Sequence, residues 1–139
     1  MNSIKLALAG ALLAGSGASM ADPIVVDAGW YGFCFDAGAG MPAFAGGCKN
    51  SGVGEAGNPF TFSLSGNGVL KVTDAFQYGD IFDVFINGAL VPTFTTSAPG
   101  NGFETPDPDA AFDGGLYSSG SLLLGAGNYS VMIYTKATV

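Results

Sequence analysis

Carboxylates and aromatic rings are the side chains with most chemistry to offer. Asp74, Asp80 and Asp83 fall within residues 72–83, and Asp107, Asp109 and Asp113 within residues 105–113. Carboxylates and loop carbonyls are hard oxygen ligands, and calcium takes roughly six to eight of them. Asp74, Asp80, Asp107, Asp109 and Asp113 are therefore candidate calcium ligands. Their spacing is not that of an EF-hand loop, which needs a Gly and a terminal Glu at fixed places. The competing reading is local: Asp caps turns by accepting bonds from backbone N–H groups just downstream. Paired carboxylates can also hydrolyse glycosides, but this chain is short for a cleft with substrate subsites.

The absent residue types exclude more. There is no His, which removes Ser-His-Asp triads, Cys-His pairs and imidazole metal sites. There is no Arg, so no guanidinium can grip a phosphate or carboxylate with two parallel bonds. Four Lys face 11 acidic residues, giving a net charge of −7. Such a chain does not concentrate on nucleic acid, where clustered cations must neutralise phosphates. These exclusions favour a binding or structural role over an enzyme, with no cofactor beyond calcium.

Aromatics offer a second kind of chemistry. Tyr78, Phe103, Phe112 and Tyr117 fall in Gly- and Pro-rich connections, where an exposed ring could stack on a sugar face. The competing reading folds such rings back against the core edge of a small domain. Trp30, the single Trp, reads as a core anchor between two sheets.

Residues 1–21 read as an address. Lys5 precedes an apolar run from Leu6 to Ala14, and Ser19-Met20-Ala21 is a small-x-small site. That is the pattern of a cleaved secretory signal, with a run too short to span a bilayer. Cutting after Ala21 leaves residues 22–139 as one domain with no further long apolar segment, and moves the charge to −8. The expected location is outside the cytoplasm, in the bacterial envelope or beyond. In that oxidising setting Cys34 and Cys48, the only cysteines, are expected to pair.

The elements that must position these groups are strands. Apolar residues alternate in Phe60-Thr61-Phe62-Ser63-Leu64, in Phe82-Asp83-Val84 and from Tyr129 onward. In the last run Ser130, Met132 and Tyr134 share one face; Ile81, Asp83 and Phe85 share one face of theirs. Gly66-Asn67-Gly68 reads as a hairpin turn between residues 60–65 and 69–73, and Asn87-Gly88 as a second, stronger one. Pro92 marks an edge or a break. Seven to eight short strands in 22–139 predict an all-β fold, an antiparallel β-sandwich with the jelly roll as a variant.

An ordered series of short motifs carries a resemblance. Val72-Thr73-Asp74-Ala75-Phe76, Gly79-Asp80, Phe82-Asp83-Val84 and Asn87-Gly88 are followed by Thr95-Thr96-Ser97, Asp107-Pro108-Asp109-Ala110-Ala111 and Tyr117-Ser118-Ser119-Gly120. Over about residues 60–135 this resembles small secreted bacterial proteins of the PEP-CTERM, exosortase-sorted group. The resemblance implies a non-catalytic extracellular or surface β-sandwich associated with exopolysaccharide or biofilm matrix. The group's Pro-Glu-Pro sorting tail does not follow Val139, so anchoring does not carry over. Two further expectations stand beside it: a carbohydrate-binding module, calcium-dependent or not, and a self-assembling subunit of an extracellular fibre.

Overall fold

A computed structural model describes residues 2–11, 21–48, 52–75, 79–91, 105–115 and 117–138. The alternating runs form strands. In chain order these are β1 (Asn2–Ala11), β2 (Asp22–Pro23), β3 (Trp30–Phe35), β4 (Gly54–Glu55), β5 (Phe60–Leu64), β6 (Gly68–Thr73), β7 (Ile81–Ile86), β8 (Ala89–Leu90), β9 (Ser119–Leu124) and β10 (Gly127–Ala137). A short helix, α1 (Pro108–Asp113), precedes β9.

Two five-stranded sheets result. The first has the order β4-β3-β1-β6-β9, the second β2-β5-β10-β7-β8. Period 2 sends alternate side chains to opposite faces, so one face of each sheet is apolar and the two faces share a core. Phe33, Phe35, Leu70 and Val72 enter it from the first sheet; Phe60, Phe62, Val84, Val131 and Ile133 enter from the second. Phe82 sits edge-on to Phe33 and Phe35, with ring centroids 5.4 and 5.2 Å away. Edge-to-face pairs place the positive rim of one ring on the negative face of the next. Each buried Phe contributes about 1.5–3 kcal/mol through area removed from water.

The all-β expectation holds, but the sheets are mixed rather than purely antiparallel. β1 runs parallel to both β3 and β6, β3 parallels β4, and β2 parallels β5. Nine strands are described within residues 22–139, three of them two residues long, against the seven to eight expected there, and β1 adds a tenth.

The segment read as a secretory leader supplies the middle strand of the first sheet. Ile4 and Leu6 are buried in the shared core, and the Ser3 N–H donates to Asp27 Oδ1 at 2.6 Å. Cleavage after Ala21 would take β1 out of that sheet.

The two expected turns behave differently. Asn87-Gly88 closes a true hairpin, with φ of 50° and 84° and Ile86 opposite Ala89. Both residues occupy the left-handed region that a two-residue turn of this kind demands. Gly66-Asn67 does not: β5 pairs with β10 in the second sheet and β6 with β1 and β9 in the first. The link is an arch over the core, because both strands bury one face and each buries it from the opposite side. Pro92 lies outside the described residues.

Trp30 is buried, but not between the sheets. It sits on the outer face of the first sheet under α1, 6.0 Å from Phe112, and its indole N–H donates to Asp109 Oδ1 at 2.9 Å. The helix forms where a loop was expected. Asp107 caps it, its Oδ1 accepting from the N–H groups of Asp109 and Ala110, and Pro108 takes the first turn, where a missing N–H costs nothing.

Cys34 and Cys48 are bonded, with Cα atoms 5.7 Å apart. The bridged loop runs beside β10: Ala43 N–H donates to the Ile133 carbonyl, and Thr135 N–H to that of Met41. Asn58 completes the junction. Its side chain donates to the Ile133 carbonyl and accepts from the Ile133 N–H, both at 2.8 Å. One buried amide thus substitutes for a missing stretch of neighbouring strand.

Candidate functional site

The outer face of the second sheet carries a continuous band of groups that suits a ligand. It is built from β5, β10 and β7, whose inward residues are locked in the core and whose outward residues are therefore held in register. Pairing places Asn128 opposite Ser63, and Ser130 opposite Thr61. On the other side of β10, Met132 lies opposite Phe85, and Tyr134 opposite Asp83. One end of the band is hydroxyls and amides; the other is aromatic.

The polar end borders a groove of about 570 Å³ where Thr61, Ser63, Asn87, Asn128 and Ser130 stand beside the apolar Pro23, Ile24 and Phe62, with Tyr129 at its side. Ser63 Oγ donates to Asn128 Oδ1 at 2.6 Å, which leaves the Asn128 amide N–H groups to serve as donors. Asn87 Oδ1 accepts from the Ser130 N–H at 2.8 Å, so the hairpin turn is tied to the groove wall. Tyr129 stacks on Phe62 with centroids 5.4 Å apart, and its hydroxyl donates to the Gly125 carbonyl.

The aromatic end is a smaller depression of about 310 Å³ lined by Phe85, Tyr134, Asp83 and Lys136, with Gly40 of the disulfide loop at its rim. Phe85 and Tyr134 meet edge-on at 5.4 Å and are half-buried. Lys136 Nζ stands 4.0 Å from Asp83 Oδ1. Two rings beside a charged pair offer stacking surface and hydrogen-bonding groups within one depression.

The sequence-predicted aromatics are elsewhere. Tyr117 is buried against Ala75 and Ala111, and Phe112 is half-buried over Trp30. Tyr117 is thus a packing residue rather than an exposed platform. Tyr78 and Phe103 lie outside the described residues. Phe85 and Tyr134 carry no ligand signal in the sequence beyond strand alternation, which puts each on an outward face; only the register brings them side by side.

The five candidate calcium ligands fall in three places. Asp107 caps α1 and Asp109 binds the Trp30 indole, while Asp113 is exposed at the end of that helix. Asp74 and Asp80 are both buried at the link between β6 and β7. Asp74 Oδ2 accepts from the Gly79 and Asp80 N–H groups, each at 3.1 Å, the geometry of a turn cap. Gly79, with φ of 117°, allows that approach. Asp74 Oδ1 is buried and has no partner among the described residues. Desolvation first, and the nearby Asp80 charge second, push the Asp74 carboxyl from 3.8 up to about 8.

Among the described residues, Cys34, Cys48 and Glu55 form the one group of three thiol or carboxylate ligands within 4.8 Å. The two sulfurs are consumed by their bond. Glu55 Oε2 accepts from the N–H groups of Gly46 and Gly47, so its role is to pin the disulfide loop.

Comparison with family models, curated proteins and solved structures returns no significant match to this chain. Among the described residues no helix is long and apolar enough to cross a membrane.

Proposed function

We propose that this chain is a secreted, non-catalytic β-sandwich of the bacterial extracellular matrix or cell surface, and that it meets exopolysaccharide on the outer face of the second sheet. The observation that carries the reading is the band from Ser63 and Asn128 to Phe85 and Tyr134: hydroxyls and amides at one end, two rings at the other. Sugars present the complementary pattern, hydroxyl edges and apolar C–H faces. The family resemblance over residues 60–135 points to the same setting. Net charge narrows the ligand class. A chain at −7, or −8 without its leader, repels uronate- and sulfate-rich polymers, so neutral polysaccharide is the favoured partner. A glycan array carrying neutral and acidic polymers tests this: selective retention on neutral glycans supports it, and retention on none of them overturns it.

A second reading concerns calcium at Asp74 and Asp80, and rests on the buried Asp74 Oδ1, which has no partner among the described residues. Asp74 and Asp80 would supply carboxylate oxygens, and the ion would replace the proton that burial favours. Calorimetry with millimolar calcium against an EDTA control tests it. A saturable rise in melting temperature that Asp74→Asn abolishes supports the site; an unchanged transition removes it.

A further inference from the structure

The segment with the pattern of a removable leader is also the middle strand of a sheet, and the two facts together define a docking site. β1 lies between β3 and β6 and is parallel to both, with Lys5 paired to Trp30 on one side and to Lys71 on the other. Removing it would split the first sheet into β4-β3 and β6-β9. Adjacent strands lie about 4.8 Å apart, so the gap would be about 10 Å wide, the room for one strand. Both of its walls would carry unpaired N–H and C=O groups. Such edges recruit an extended chain.

Contacts outside β1 hold the gap at that width. On the outer face, Phe112 of α1 spans it: its ring is 6.0 Å from Trp30 of β3 and 5.0 Å from Lys71 Nζ of β6. On the inner face, Phe33 of β3 is fixed against Phe60 and Phe82 of the second sheet. The walls are therefore tied to partners that do not leave with the leader.

We propose that residues 2–11 act as a placeholder strand, and that their removal on export opens a slot between β3 and β6 that takes an extended segment of a partner protein. The proposal rests on the secretion reading above. β1 itself reports the chemistry the slot accepts. Ile4 and Leu6 fill the core, Ala7 is buried, and Lys5 is half-exposed and reaches Asp109. Lys5 Nζ stands 3.7 Å from Asp109 Oδ1 and 5.5 Å from the Trp30 ring centroid. The partner segment thus reads branched apolar, cation, branched apolar, small, and enters parallel to β3 and β6. The mature chain's charge of −8 favours that cation. A second copy of residues 22–139 does not supply the segment. Its one match to apolar-Lys-apolar is Leu70-Lys71-Val72, which is β6 itself and already paired in the sheet.

The test starts from the full chain exported by a bacterial host. Intact mass is expected to show loss of residues 1–21; a harvested chain that keeps them overturns the leader reading and makes β1 a permanent strand. Hydrogen exchange on the processed chain then probes the slot itself. Amides of β3 and β6 are expected to exchange faster than those of β10. A synthetic peptide of residues 2–11 is expected to slow them saturably at one peptide per chain. A Lys5→Glu peptide should bind about tenfold more weakly, and a peptide with Ile4→Asn and Leu6→Asn not at all. If the processed chain is unfolded alone, the peptide must restore its folded signal. The proposal falls if the peptide neither protects nor refolds the chain. It also falls if β3 and β6 are already fully protected in the peptide-free monomer, or if the processed chain fills the slot by self-association.

Discussion

Replacing Asp74 by Asn should remove a pH dependence that one buried carboxyl imposes on the whole domain. The Asp74 carboxyl titrates near 8 in the folded chain against 3.8 in its ordinary state, because burial and Asp80 both disfavour its charge. Below pH 4 the group is protonated folded and unfolded, and it leaves stability unchanged. Between pH 4 and 8 the unfolded chain releases the proton while the folded chain keeps it. Stability then falls as pH rises, by about 1.4 kcal/mol per pH unit, and levels off above 8. From pH 4 to pH 7 the loss is on the order of 4 kcal/mol, a large share of the 5–15 kcal/mol typical of a domain. Asn keeps an oxygen for the Gly79 and Asp80 N–H groups but has no proton to lose. Urea unfolding of both chains at pH 4, 5, 6 and 7 isolates the effect, since the other carboxylates contribute to each and largely cancel in the difference. The variant should gain on the parent steadily with pH. Parallel curves, or a variant that loses ground to the parent as pH rises from 4 to 7, would refute the argument that desolvation governs Asp74.

Two further outcomes follow from the packing. Asn58→Ala leaves the Ile133 N–H without its buried partner and the Ile133 carbonyl with the Ala43 N–H alone, which should cost about 1–3 kcal/mol in denaturant titration; a cost under about 0.5 kcal/mol would mean the disulfide loop closes on β10 without it. Reducing the Cys34–Cys48 bond frees a loop with a sequence separation of 14 and should cost about 3 kcal/mol, or roughly 10 °C in Tm; an unchanged transition would show that the loop's bonds to β10 alone restrain it.

Period 2 made β5, β6, β7 and β10 legible in the sequence, because each buries one face and leaves the other polar. Asn87-Gly88 was legible for the same local reason: few other residue pairs tolerate two left-handed conformations in a row. Partnership was not. Gly66-Asn67 serves a hairpin or an arch equally well, and only the long-range pairing of β5 with β10 decides between them. A short apolar run after Lys5 has one appearance whether it is a leader or a strand, so β1 was invisible as sheet. The six residues of α1 are too few for a 3.6-residue period to show, and without α1 the covering of Trp30 could not be anticipated. The candidate site was half legible. Alternation set Tyr134 and Phe85 outward, but their meeting depends on a register that no local pattern encodes.

The central claim, that the outer face of the second sheet holds neutral polysaccharide, is tested most directly by titrating oligosaccharides of a neutral exopolysaccharide into the exported chain and its Tyr134→Ala variant by calorimetry. Tyr134 is half-buried and leaves the shared core untouched, so the variant should fold normally. The account predicts saturable binding by the parent and about tenfold weaker binding by the variant, the loss of one stacking ring. Equal affinities for the two chains, or no binding by either, would contradict it.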